Sequence, residues 1–150
     1  MEKPVIISIR GVQTTAPGEE DVMELVTQGV LGGDERELTL TYRESELTGL
    51  EGTTTTFRIA RDKITLTREG TLNSEMIFQE GKDHVSLYET PYGGLTLGVK
   101  TRKARSGLSL SPAGGDLEIA YALDVDDQRI GENSFFIQVR EPDGASVQLL

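Results

Sequence analysis

Catalysis through a serine needs a base close by, and the chain has one histidine, His84. It follows Gly81-Lys82-Asp83 at a hairpin signal, where an exposed turn residue is the simpler reading. No G-x-S-x-G elbow, H-E-x-x-H pair or P-loop occurs. Asp124-x-Asp126-Asp127 loosely suggests a calcium loop, but the sixth position, which must be glycine for the sharp turn, is Arg129. Gly49-x-x-Gly52 has the spacing of a KH clamp, yet Leu50-Glu51 and acidic flanks would repel a phosphate. Cysteine is absent, which excludes disulfides and thiolate metal sites. No metal set and no cofactor is implied. Lys100, Arg102, Lys103 and Arg105 form a dense basic cluster, read first as a solvated strand end whose charges protect a sheet edge. What remains is a pair of opposite charges, Glu44 and Arg68, each at the end of an alternating apolar run.

The elements that must position this pair are strands. Turn chemistry recurs at Ala16-Pro17-Gly18, Gly32-Gly33-Asp34, Gly49 to Gly52, Arg61-Asp62, Glu80 to Asp83, Thr90 to Gly93, Ser111 to Gly115 and Asp126-Asp127. Between the turns, apolar residues fall at every second position: Val5-x-Ile7-x-Ile9, Leu38-x-Leu40-x-Tyr42, Phe57-x-Ile59, Ile64-x-Leu66 and Met76-x-Phe78. Val85-x-Leu87, Leu95-x-Leu97-x-Val99, Leu117-x-Ile119-x-Tyr121-x-Leu123 and Phe135-x-Ile137-x-Val139 continue the series. Period two places one set on one face, with Thr, Glu, Arg and Lys on the other, as in antiparallel sheets with one wet face. Val22 to Leu31 also suits a helical stripe and is assigned to strand by context. The reading is a single all-β domain over residues 1–150, a closed antiparallel barrel of about 8–10 strands.

Three runs carry a family resemblance: Tyr42 to Phe57 (with Glu44-Ser45-Glu46-Leu47-Thr48-Gly49), Leu66-Thr67-Arg68-Glu69-Gly70, and Tyr88-Glu89-Thr90-Pro91-Tyr92-Gly93. With them the chain resembles the YwiB-like family of uncharacterised bacterial proteins over most of its length. The resemblance implies a calycin-like barrel, the group that includes lipocalins, and a bacterial cytoplasmic setting. It implies no activity. The Gly-x-Trp signature of lipocalins is missing, since the chain has no tryptophan.

A meander from Val5 to Thr90 makes the Leu38 and Ile64 strands point the same way, with the Thr53 strand reversed between them. On the inward phase Leu38 and Leu40 lead to Tyr42 and Glu44, and Ile64 and Leu66 lead to Arg68 and Gly70. The reversed strand runs from Thr53 and Thr55 to Phe57 and Ile59, and Ser74 leads to Met76 and Phe78. Val85 and Leu87 lead to Glu89. On these five strands, about half of the wall, apolar residues therefore gather at one end and polar ones at the other. The Leu95 strand instead starts apolar at the polar end, and the Leu117 strand is apolar almost throughout. Glu44 and Arg68, two strands or ~10 Å apart, would meet across the reversed strand as a bidentate pair. Either that pair plugs the barrel end, or it forms a binding site walled by Tyr42, Tyr88 and Tyr121.

The net charge of −10 and pI near 4.6 make nucleic acid and membranes poor partners. The apolar run Val5-Ile6-Ile7 is too short for a signal peptide or a span. The expectation is a soluble cytoplasmic barrel whose polar end holds a small anionic ligand. A protein-interaction module with a filled barrel is the alternative, and an enzyme comes third because no base, nucleophile or metal set converges. Oligomeric state is not legible.

Overall fold

Each alternating run becomes a strand in the computed structural model, which describes residues 2–16, 18–45, 50–71, 73–90 and 92–142, without the side chains of 16 and 87–90. The strands are β1 (Glu2–Ala16), β2 (Glu19–Gly33), β3 (Glu37–Arg43), β4 (Thr53–Ala60), β5 (Ile64–Gly70) and β6 (Ser74–Phe78). They continue as β7 (Asp83–Thr90), β8 (Gly93–Ser106), β9 (Ser109–Leu110), β10 (Ala113–Val125) and β11 (Gln128–Arg140). The ladder order is β6-β5-β4-β3-β2-β1-β11-β10-β8-β7, all antiparallel, with β9 added to the start of β10. The sheet curls until its two ends meet, giving a nearly closed barrel of 10 strands. Closure explains the period-two pattern, because one face of every strand must fill the interior.

The ambiguous segment from Val22 to Leu31 is the body of β2. Met23, Leu25, Thr27, Gly29 and Leu31 take the phase that ends in the core, while Val22, Val26 and Val30 are exposed outside. Apolar residues on both faces blurred its period. At the far hairpin, Asp126 and Asp127 both take positive φ, 50° and 68°, as the tight β10–β11 turn requires.

The filled end of the barrel is formed by Leu40, Phe57, Ile59, Ile64, Leu66, Met76 and Phe78, all buried. Each such side chain stabilises the fold by about 1.5–3 kcal/mol relative to exposure. On β3, β4 and β5 the expected gradient holds: Tyr42, Glu44, Thr53 and Thr55 are the inward residues at the other end, and all are buried.

The wall departs from a simple meander in two places. First, β6 and β7 follow one another in sequence but share no ladder, since β7 pairs with β8. The connecting turn is tied to β8 instead. The Gly81 amide donates to the Thr101 carbonyl (3.0 Å), and the Thr101 amide donates to Lys82 O (3.1 Å). Gln79 N donates to the Thr101 hydroxyl (3.3 Å), and Ala104 N donates to Glu80 Oε1 (3.0 Å). This anchoring sets the phase of β7 opposite to the one expected. Val85 is 73% exposed, and His84 and Ser86 are half-buried. His84 is therefore no exposed turn residue; its Nε2 lies 3.0 Å from Gln79 Oε1.

Second, the β2–β3 ladder runs from Gly33↔Leu38 to Gly29↔Tyr42 and stops. Beyond it β3 follows β4 alone, through Arg43↔Thr54 and a Glu44 N to Thr53 O bond of 2.9 Å. β2 continues with β1 back to Glu19. Among the described residues, no strand pairs with the other side of Glu19–Gln28. Gly29 marks the fork. A Cβ there would overlap the Ile7 side chain and the Thr41 carbonyl, so only glycine lets three backbones pass this closely.

Candidate functional site at the polar end of the barrel

Arg68, Thr55 and Tyr42 lie in one row, because Thr55 is the register partner of both Arg68 on β5 and Tyr42 on β3. Glu44 stands two residues past Tyr42 on the same face. Its side chain is only 2% exposed, against 21% for Arg68. The Thr55 hydroxyl donates to Glu44 Oε2 at 2.5 Å, a charge-assisted bond that fixes the carboxylate. The Tyr42 hydroxyl is within hydrogen-bonding reach of Glu44 and Thr55. Burial first, and then the Glu44 charge, push the Tyr42 phenol well above its usual range, with Arg68 partly offsetting them. The hydroxyl is therefore a permanent donor at neutral pH.

Glu44 and Arg68 do meet at the same end, but not as the bidentate pair the sequence suggested. Their contact is one ion pair from Arg68 Nε to Glu44 Oε2 at 3.9 Å, too long for a hydrogen bond. The reason is local: Glu44 is bound to Thr55, which stands between the two charges. Arg68 Nε is enclosed and has no hydrogen-bond partner among the described residues. That is an unusual state for a buried donor, since an unmet one costs about 1–3 kcal/mol.

A cavity of about 250 Å³ opens beside the pair, lined by Ile9, Met23, Leu25, Tyr42, Glu44, Leu50, Phe57, Arg68, Phe135 and Ile137. It lies where β3 leaves β2, so the fork in the wall and the polar end coincide. Larger grooves exist, of about 720 and 770 Å³. One spreads over outward residues such as Ile6, Gln28, Val30 and Arg43, and the other lies by Leu38, Ile59 and Ile64 at the opposite end. Neither includes an enclosed, partnerless charged group.

Tyr121 is not on this cavity wall. It is buried one layer behind, stacked on Phe135 (6.3 Å between ring centres) and tilted against Phe78 (4.8 Å). Burial lifts its phenol to about 12, and the field of Arg68 works weakly the other way. The Tyr88 and Glu89 side chains lie outside the described residues, as does part of the Gly49-x-x-Gly52 spacing. Sequence reasoning missed the apolar walls contributed by Met23, Leu25 and Phe135, and the anchoring role of Thr55. The Met23-x-Leu25 alternation was the available signal.

Most of the other charged candidates are paired; in the basic cluster only Lys100 has no ion pair among the described residues. Asp124 Oδ1 takes Arg129 Nε at 2.6 Å, so arginine occupies the loop that loosely suggested calcium. In the basic cluster Arg102 pairs with Glu132 (2.8 Å), Lys103 with Glu118 (3.5 Å) and Arg105 with Glu80 (3.4 Å). These charges lie on a strand with β10 beside it rather than on a bare edge, and acids on neighbouring elements neutralise them.

A family model described as Domain of unknown function (DUF1934) matches residues 7–137, and the chain belongs to that family. Among solved structures it is similar to the ywiB protein from Bacillus subtilis, with a TM-score of 0.76 and 20% identity over 94% of this chain and 93% of that one. At that identity the likeness concerns the fold. No curated protein matches.

Proposed function

We propose that this DUF1934 barrel binds a small organic anion, a carboxylate with a compact apolar body, at its polar end. The observation that carries the reading is the enclosed Arg68 Nε, without a hydrogen-bond partner, beside a cavity. The headgroup would take the guanidinium donors that Glu44 leaves unused. Ile9, Leu25, Phe57, Phe135 and Ile137 would hold the apolar body. Glu44, fixed by Thr55, would hold the guanidinium in place and select against cations. At about 250 Å³ the space suits a short-chain or single-ring acid and is too small for a fatty or retinoid ligand. The cysteine-free composition suits a reducing bacterial cytoplasm, which we propose as its setting. No described helix is long and apolar enough to cross a membrane.

A thermal-shift series with butyrate, benzoate, inorganic phosphate and the uncharged benzamide tests the reading on wild type and Arg68→Gln, each against its own ligand-free baseline. Benzoate or butyrate should raise the wild-type melting temperature, benzamide should not, and Arg68→Gln should lose the response. An unresponsive wild type, or an equal shift in both proteins, removes the assignment.

A further inference from the structure

The edge of β2 away from β1 carries a pattern of its own. From Glu20 to Gln28 its backbone is paired with β1 on one side and with no described strand on the other. An unpaired edge of this length is a template for another strand unless charge, proline or a bulge blunts it. Here it is not blunted along its middle: Val22 is 51% and Val26 65% exposed, and Met23 and Leu25 lie between them on the opposite face. The acids sit toward one end, at Glu19, Glu20 and Asp21, with Glu24 alone at the centre.

We propose that two copies of this chain pair antiparallel through β2, with the two-fold axis at Glu24. A two-fold pairing that keeps the outer faces continuous must oppose even-numbered residues to even-numbered ones. Centred on Glu24, it uses the whole of Glu20–Gln28 and ends where β3 begins its own ladder at Gly29. Val22 then opposes Val26 of the other copy on the outside, and Met23 opposes Leu25 inside. Glu20 meets Gln28 and Asp21 meets Thr27, so no acid opposes another except Glu24 itself. That contact is relieved within each copy, because Arg10 lies 3.7 Å from Glu24 across β1. A centre at Val22 opposes Glu20 to Glu24 twice, and centres at Met23 or Leu25 set acids against valine or leucine. A centre at Val26 leaves only Glu24–Gln28 to pair before the β3 ladder begins. The self-complementary register is thus the one the free length selects. Cross-strand pairs add modest energy, and each copy carries a charge of −10, so association should be concentration-dependent and strengthened by salt.

The cysteine-free chain makes the register directly testable. Sedimentation of the wild type should show a mass that doubles with rising concentration, more readily at high salt. Val26→Lys, at an exposed position, should remain folded by circular dichroism and stay monomeric. Under mild oxidation Glu24→Cys should form a covalent dimer, and Val22→Cys mixed with Val26→Cys should form a mixed one. Thr27→Cys should not cross-link, since its two copies would lie ~20 Å apart along the strands. A wild type that stays monomeric throughout, a dimeric Val26→Lys, or cross-linking at Thr27 in place of Glu24 overturns the proposal.

Discussion

Where β6 gives way to β7, the missing ladder is replaced; where β3 leaves β2, nothing among the described residues replaces it. At the first break Thr101 accepts and donates through its backbone, and its hydroxyl accepts the Gln79 amide. Thr101 is 4% exposed, so the break is sealed by groups fully committed to one another. At the second break the nearby polar side chains are enclosed too, but Arg68 Nε is not satisfied and a cavity stands beside it. A polar residue inside a barrel is therefore not in itself a sign of function. The informative state is a buried donor left over after the neighbouring groups have bonded.

Arg68→Ala should cost the most, about 3 kcal/mol, because it strands the Glu44 carboxylate in a nearly buried position. Arg58→Ala, on the exposed face of β4, should stay within about 0.5 kcal/mol. Equal small losses in urea denaturation would show that Glu44 is solvated and the open break no different from surface. At the sealed break Thr101→Val should cost about 1–2 kcal/mol by leaving the Gln79 amide unmet. A neutral Thr101→Val would mean that the β6–β7 break is not held as described.

Tyr121 lies between the two regions, touching Phe78 beside the sealed break and Phe135 on the cavity wall. Its phenol is lifted from 10.0 to about 12 in the folded chain. Between those values the folded state keeps a proton that the unfolded chain loses, so the unfolded state binds fewer protons and stability falls as pH rises. The contribution is complete below pH 10 and gone above about pH 12. Tyr121→Phe should make the alkaline fall in melting temperature shallower, leaving the part due to Tyr42, whereas an unchanged profile would place the Tyr121 phenol in water. The smallest effect belongs to the open edge: Val26→Thr should change monomer stability by under about 0.5 kcal/mol, since Val26 is exposed. A larger loss by denaturation of dilute protein would show that the edge is covered within the chain itself.

The barrel was legible because period two reports a buried face directly, and β3, β4 and β5 report it without interference. The polar end was legible for the same reason: Tyr42, Glu44, Thr55 and Arg68 keep the inward phase of their strands. The phase of β7 was not, because it depends on where a turn is tethered, and the tether to Thr101 is a long-range contact that no local pattern encodes. The spare capacity of Arg68 was equally hidden. Charge complementarity says that Glu44 and Arg68 should meet, but only the position of Thr55 shows that they meet incompletely.

The most direct test follows the Arg68 Nε–Hε proton itself by nitrogen–proton NMR, its signal assigned by its loss in Arg68→Gln. In the free protein this signal should be present but unprotected by a strong hydrogen bond. On titration with benzoate it should move downfield and exchange more slowly with water, while the Arg58 signal stays in place. If the Arg68 signal remains unmoved at saturating carboxylate, the group is a structural plug and the polar end of this barrel is not a binding site.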